Sequence, residues 1–250
     1  MHAYFRFYGE LNDFLARPLR QRTLVCRFDG RATVKDLMEA QGVPHPEVDL
    51  LLANGEPVSF TYLVGDGDRI AVYPAFRTLP PGAVARVGPP PSPVPRFVAD
   101  GHLGRLAAYL RLLGFDTGWR NDATDHALAE TSARDDRTLL TRDVGLLKHG
   151  QVRRGYFVRQ TLPGRQLREV VQRYDLGLLA RPFTRCLRCN ERLAPAVATE
   201  AAALVPARVA ERHRKFWRCS SCRRLYWEGT HHARMRALVH EVLGEVPPAL

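Results

Sequence analysis

At 250 residues, with 45% hydrophobic and 25% charged residues, the chain has the composition of a globular protein built from two or three compact modules. No run of about 18 apolar residues is present, which argues against a membrane span, and the N-terminus lacks a basic region followed by an apolar stretch, so a reducing, cytoplasmic setting is expected. The formal charge of +11 sits wholly after residue 80: residues 1–80 carry 9 basic and 10 acidic side chains, residues 81–180 carry 15 and 10, and residues 181–250 carry 13 and 6.

A neutral segment followed by a basic one points to a polyanionic partner, because cationic side chains neutralise phosphates and release counterions. Only Lys35, Lys148 and Lys215 among the 37 basic residues are lysines. Arginine forks phosphate and stacks on bases, which suits RNA, although a codon bias toward arginine explains the ratio equally well.

In chain order, AYFRFYG alternates as a strand does, and TLVCRFDG reads as its hairpin partner. Thr33–Gln41 is predicted helical, with Thr33 as cap and Val34, Leu37 and Met38 on one apolar face. VDLLLANGEPV, with an Asn54-Gly55 turn, and RIAVYP follow as strands. Strand–strand–helix–strand–strand is the order of a β-grasp domain, predicted over residues 1–78. Its ANGEPV and GDGDRIAVYP segments resemble the ubiquitin-like sulfur carriers. Those carriers end in a free Gly-Gly, whereas this last strand runs on through Pro74-Ala75-Phe76. Sulfur transfer is therefore not expected, and a structural or protein-docking role is.

The segment 79–95, LPPGAVARVGPPPSPVP, reads as a semi-rigid linker. Beyond it the pattern becomes strand (Arg96–Ala99), helix (Leu103–Leu113), strand (Phe115–Trp119), helix (Thr124–Arg134, capped by Thr124 or Asp122) and strand (Arg137–Thr141). A short helix (Val144–Lys148), a strand (Tyr156–Arg159) and a helix (Gly164–Tyr174) complete it. Alternating strands and helices predict a parallel sheet over 96–180. Asp100 and Asp143 then fall at carboxyl ends of strands, where such sheets place ligands, with Asp122 and Asp125 following the second strand. Converging carboxylates suit a hard cation, Mg²⁺ or Mn²⁺. No GxGxxG or GxxxxGK[ST] stands at a strand–helix turn, which counts against a nucleotide cofactor.

Cys186, Cys189, Cys219 and Cys222 form C-x2-C-x29-C-x2-C. Two such knuckles complete a tetrahedral, closed and therefore structural zinc site, predicted as a ribbon over 181–230 with a C-terminal tail or helix over 231–250. Within the gap, Ala194–Ala210 is expected to form an inserted helix. Arg188, Lys215, Arg218 and Arg223 alternate with Phe216, Trp217, Tyr226 and Trp227, a pattern suited to single-stranded RNA. Trp217 and Tyr226 are the expected small core of the ribbon, and His231-His232 is expected in solvent.

FVADGHLGRLAAYLRLLGFDT, NDATDHALAE, RTLLTRD and the two CxxC pairs resemble the Mut-seven C-terminal RNase family, a branch of the PIN-like nucleases, over about 97–228. The preceding β-grasp segment resembles the bacterial version in which a ubiquitin-like domain comes first. The resemblance implies a metal-binding set of Asp100, Asp122 or Asp125, and Asp143. It also implies phosphate contacts at Arg105, in the helix-one motif, and at Arg142. PIN-like sites usually hold a further carboxylate, yet no acidic residue lies between Asp143 and Glu169, so one catalytic metal is expected. The expectation is a ribonuclease that hydrolyses phosphodiesters through an Asp-bound, Mg- or Mn-activated water. The alternative is a catalytically inactive RNA- or ribosome-binding adaptor.

Overall fold

The computed structural model describes residues 1–75 and 86–244; part of the proline-rich connection (79–85) and the end of the C-terminal tail (245–250) lie outside the described residues. Among the described residues no helix is long and apolar enough to cross a membrane. The chain divides into two compact units, residues 1–93 with 124–157, and residues 94–123 with 158 onward.

The first unit opens with a five-stranded mixed sheet of order β2-β1-β5-β3-β4. β1 (His2–Phe7) pairs antiparallel with β2 (Thr23–Arg27). Across the sheet lies α1 (Val34–Ala40), started by a capping box in which Thr33 Oγ1 accepts from the Asp36 amide and the Asp36 carboxylate accepts from the Thr33 amide. β3 (Val48–Ala53) turns at Asn54-Gly55, both at positive φ, into the two-residue β4 (Glu56–Pro57). β5 (Arg69–Pro74) then inserts between β1, to which it is parallel, and β3, to which it is antiparallel. This is a ubiquitin-like β-grasp. Alternation along β1 and β5 sends Phe5, Phe7, Ile70 and Val72 inward, onto Leu37 and Met38 of α1.

The pattern then switches from period two to strand–helix alternation. β6 (Phe97–Ala99) leads into α2 (Gly104–Leu112), and β7 (Thr117–Trp119) returns parallel to β6. α3 (Asp125–Arg134), capped by Thr124, leads to β8 (Thr138–Thr141); α4 (Val144–Leu147) leads to β9 (Gly155–Phe157), parallel to β8. α5 (Pro163–Arg173) follows and packs on α2. Both of these strand pairs are parallel, as the crossover helices require.

In the first unit α3, β8, α4 and β9 are joined to the β-grasp fold through its 44–48 turn. His45 Nε2 lies 2.8 Å from the Val152 carbonyl and its Nδ1 2.7 Å from Glu39. Lys148 Nζ donates to the Glu39 carbonyl at 2.6 Å, and the Phe157 amide donates to the buried Glu47 carboxylate at 2.5 Å. Phe14 meets the Phe157 ring edge to face.

In the second unit the chain ends in a three-stranded antiparallel ribbon, β10 (Leu193–Ala196), β11 (Phe216–Cys219) and β12 (Leu225–Trp227), followed by α8 (Thr230–Leu243) against α5. The stretch expected as one inserted helix is instead the edge strand β10 and two short helices, α6 (Ala198–Ala202) and α7 (Ala207–Arg212). Pro195 is tolerated because β10 is an edge strand, and Pro206, with no N–H to donate, separates the two helices.

Candidate functional site

The four cysteines are brought together. Their sulfurs all lie within 4.8 Å of one another, with Cys186–Cys222 at 3.5 Å and Cys189–Cys219 at 3.3 Å. A zinc tetrahedron with Zn–S bonds of about 2.3 Å has sulfur–sulfur edges of about 3.8 Å, so four free thiols at these separations form a donor set that could hold that ion. Both knuckles are built alike. The residue after each second cysteine, Asn190 or Arg223, has left-handed backbone, with φ of 72° and 62°. Their amides donate back to the carbonyls of Cys186 and Cys219 at 3.0 Å.

Burial raises the Cys186 thiol, but the Tyr226 hydroxyl at 3.1 Å and the Cys189 and Arg188 amides outweigh it and lower it to about 6. Burial holds Cys219 up at about 12. The Tyr226 phenol is pushed up by burial and then by its contact with Cys186. Its oxygen also accepts from the Leu187 amide at 3.1 Å, so Tyr226 braces the first knuckle. Phe216, 3% exposed, is the buried aromatic of the ribbon, whereas Trp217 is half-buried.

The first knuckle is fastened to α2 and β7 by residues that pattern reading did not single out. Arg111, 3% exposed, donates Nε to the Thr117 carbonyl (2.8 Å) and NH1 to the carbonyls of Leu187 (3.0 Å) and Arg188 (2.8 Å). Burial lowers its guanidinium from the ordinary value, opposed by the Cys186 and Cys189 thiols and Asp116. Asn190 donates to Asp116 at 2.7 Å and accepts from the Thr117 amide at 3.0 Å, and Arg185 Nε donates to the Gly114 carbonyl at 3.0 Å. Gly114 cannot be replaced here: φ is +92°, and a Cβ would lie 2.2 Å from the Arg181 carbonyl. An arginine on the apolar side of an amphipathic helix was the one available signal.

The carboxylates divide between the units. In the second, Asp100 directly follows β6 and is half-buried; its carbonyl accepts from the Leu103 amide at 2.8 Å. The turn after it is set by Trp119, whose Nε1 donates to the Gly101 carbonyl at 3.0 Å and whose ring lies so close to Gly104 that a Cβ there would meet it at 2.6 Å. Gly101 abuts the backbone of Arg120 and Asn121, so the Asp100 turn and the Asp122 segment adjoin. Asp122 is exposed and receives Arg120 bidentately at 3.1 and 3.0 Å, which lowers its carboxyl from the usual range.

In the first unit, Asp143 lies two residues beyond β8 and caps α4, its Oδ1 accepting from the amides of Gly145 (2.6 Å) and Leu146 (3.3 Å). Asp125 stands exposed in the first turn of α3, which runs back against β8, so both lie at the same end of that pair. The His126 and His149 rings, 6.0 Å apart, mark that end.

Of the basic residues, Arg105, in the first turn of α2, and Arg142 are exposed, and Arg142 also lies 5.9 Å from the centre of the Phe157 ring. Arg188, Lys215 and Arg223 are exposed, and Arg218 is half-buried. His232 departs from expectation: it is half-buried, with its ring centre 4.4 Å from that of Phe183, because the first turn of α8 lies over the segment leading into the first knuckle.

A ubiquitin-like β-grasp ahead of a parallel α/β domain with a tetracysteine ribbon defines a class of proteins. Residues 95–239 match the Mut7-C RNAse domain and residues 1–80 match Mut7-C ubiquitin. The chain belongs to the Mut7-C RNAse domain family, and so carries a ribonuclease-family domain. No curated protein matches it. Two solved structures are similar to its N-terminal part. A crystal structure of H. volcanii small archaeal modifier protein 1 is 23% identical and covers 30% of this chain and 98% of its own, with a TM-score of 0.25. One of SAMP1 from Haloferax volcanii is 22% identical and covers 31% and 98%, with a TM-score of 0.25.

Proposed function

We propose that the chain is a divalent-cation-dependent ribonuclease whose candidate metal-binding carboxylates are Asp100, with Asp122 as accessory acid, in the second unit, and Asp143, with Asp125 as accessory acid, in the first. One observation carries the reading: the match to an RNAse domain over 95–239 includes a half-buried aspartate directly at a strand's carboxyl end, on a turn that Trp119 holds in place. Carboxylate oxygens suit Mg²⁺ or Mn²⁺. When bound, such an ion supplies a nucleophilic water at neutral pH and offsets charge developing on the phosphate. The chain's own part is to orient: Asp100 through its braced turn, Asp143 with one oxygen pinned by two amides. Arg105 and Arg142 neutralise substrate phosphates, and the ribbon residues Arg188, Lys215, Arg218 and Arg223 supply further phosphate contacts.

The four cysteines hold zinc in a closed, structural site, so chelation is expected to unfold the ribbon without touching the carboxylates. One zinc per chain by elemental analysis is the expected stoichiometry; four thiols reacting freely in the purified protein would refute it. For the nuclease, the test is cleavage of single-stranded and transfer-type RNA with Mg²⁺ or Mn²⁺. Asp100→Asn and Asp143→Asn each remove several kcal/mol of transition-state stabilisation, a fall of about a hundredfold or more. No cleavage by the parent protein, with metal binding unchanged in both variants, would sink the enzyme.

A second reading, an inactive RNA-binding adaptor with a protein partner at the β-grasp domain, has support of its own. Asp122 is engaged by Arg120, and one oxygen of Asp143 is engaged as a helix cap. RNA binding without cleavage is its signature.

A further inference from the structure

Between the ribbon and α8 lies a cavity of about 350 Å³, formed wholly within the second unit. That volume is at the small end of the range for small-molecule pockets, about 300–1,000 Å³. Phe183, Trp217, Trp227 and His232 line it, with Lys215 and Glu228 among its polar residues.

Three features mark it as more than a packing defect. Five aromatic side chains, Phe183, Trp217, Tyr226, Trp227 and His232, line one space, and all five are half-buried, each with surface left over. Phe183 is held with φ at +63°, left-handed backbone that is costly for a bulky side chain; its amide donates to the Leu112 carbonyl at 2.9 Å. The strain places the Phe183 ring against His232, where it helps wall the cavity. Burial also lowers His232 from its ordinary value, against the opposing pull of Glu228. Finally, this apolar space sits in the most basic part of the chain, where residues 181–250 carry 13 basic and 6 acidic side chains.

We propose that this cavity receives one unpaired base of single-stranded RNA, stacked against the Phe183 and Trp217 rings, with Lys215 meeting an adjoining phosphate and Glu228 accepting from the base's N–H edge. Rings supply sequence-tolerant stacking, a cation supplies phosphate affinity, and a carboxylate can only accept; a base attached to a phosphate offers the complement of all three. The inference rests on the reading of the chain as a protein that acts on RNA, but it concerns binding and does not require cleavage.

The test uses the full-length, zinc-loaded Asp100→Asn protein without added Mg²⁺ or Mn²⁺, and a six-nucleotide single-stranded RNA carrying one 4-thiouridine. The expected result is quenching of tryptophan fluorescence on binding and a photo-crosslink at Phe183 or Trp217. Phe183→Ala should weaken that strand about tenfold while leaving a duplex of the same length within about twofold. Lys215→Gln should lower the slope of log affinity against log salt by about one. Should Phe183→Ala lose its metal, the crosslink in the Phe183-bearing protein decides alone. Crosslinks confined to other segments, or a cavity that a proline-rich peptide fills and RNA does not, would overturn the proposal. Absence of cleavage by the protein with Asp100 intact overturns only the nuclease reading.

Discussion

Arg111→Met separates the ribbon's tether from its packing. Methionine keeps most of the aliphatic stem but removes the three bonds to the carbonyls of Thr117, Leu187 and Arg188. Bonds from a charged donor contribute about 1.5–3 kcal/mol each, but the guanidinium is itself desolvated, and the variant escapes that cost. The net loss is about 2–4 kcal/mol, which for a chain of this size lowers Tm by roughly 4–16 °C. Asn190 and Arg185 still join the first knuckle to Asp116, Thr117 and Gly114, so the ribbon loosens rather than detaches. The assay is calorimetry paired with zinc content and hydrogen exchange at residues 111–119 and 185–192. Arg111→Lys should fall between the two, since an ammonium reaches fewer of these carbonyls in the fork geometry. A Tm shift under about 2 °C, with exchange in both segments unchanged, would refute the claim that Arg111 couples the knuckle to α2 and β7.

Gly104→Ala is expected to cost about 1–3 kcal/mol, because its Cβ would overlap the Trp119 ring, and to lower cleavage by displacing the Asp100 turn; unchanged melting and turnover would contradict this. Asp68 is pushed up by burial but pulled below its usual range by the Gly65 amide, Asn54 and the Tyr62 hydroxyl. Its folded value is therefore depressed, so its contribution is present above the unfolded value of about 3.9 and is lost as pH falls through the folded one. Asp68→Asn should be less stable than the parent at pH 7, with a gap that closes below about pH 3.9; a gap independent of pH in denaturant titrations would count against it. Removing residues 1–93 takes away the partners of Val152, Lys148 and Phe157, so exchange across 124–157 should accelerate well before that of 94–123. Equal protection in both segments would show that 124–157 stands without the β-grasp fold.

Local signals carried much of the architecture. Period-two alternation around Phe5, Phe7, Ile70 and Val72 and the Thr33 cap mark the β-grasp strands and helix, because each is written within a few residues. The CxxC pairs announce their own geometry, since a knuckle is a local turn. What pattern could not reach depends on distant partners. Ala194–Ala196 opens an Ala- and Val-rich stretch that composition favours as helix, yet it becomes an edge strand because Pro195 resists a helix interior and β11 offers it a ladder. Arg111 stands on the apolar side of α2, but nothing near it in sequence names its partners, the carbonyls of Leu187 and Arg188 more than seventy residues away. His232 is polar enough for solvent, yet Phe183, strained into place across the chain, gives it an aromatic neighbour. Residue type and spacing specify which groups can bind a metal or a phosphate. Which of them are buried, tethered or left facing a cavity is a property of contacts between remote segments, and no short window of sequence contains it.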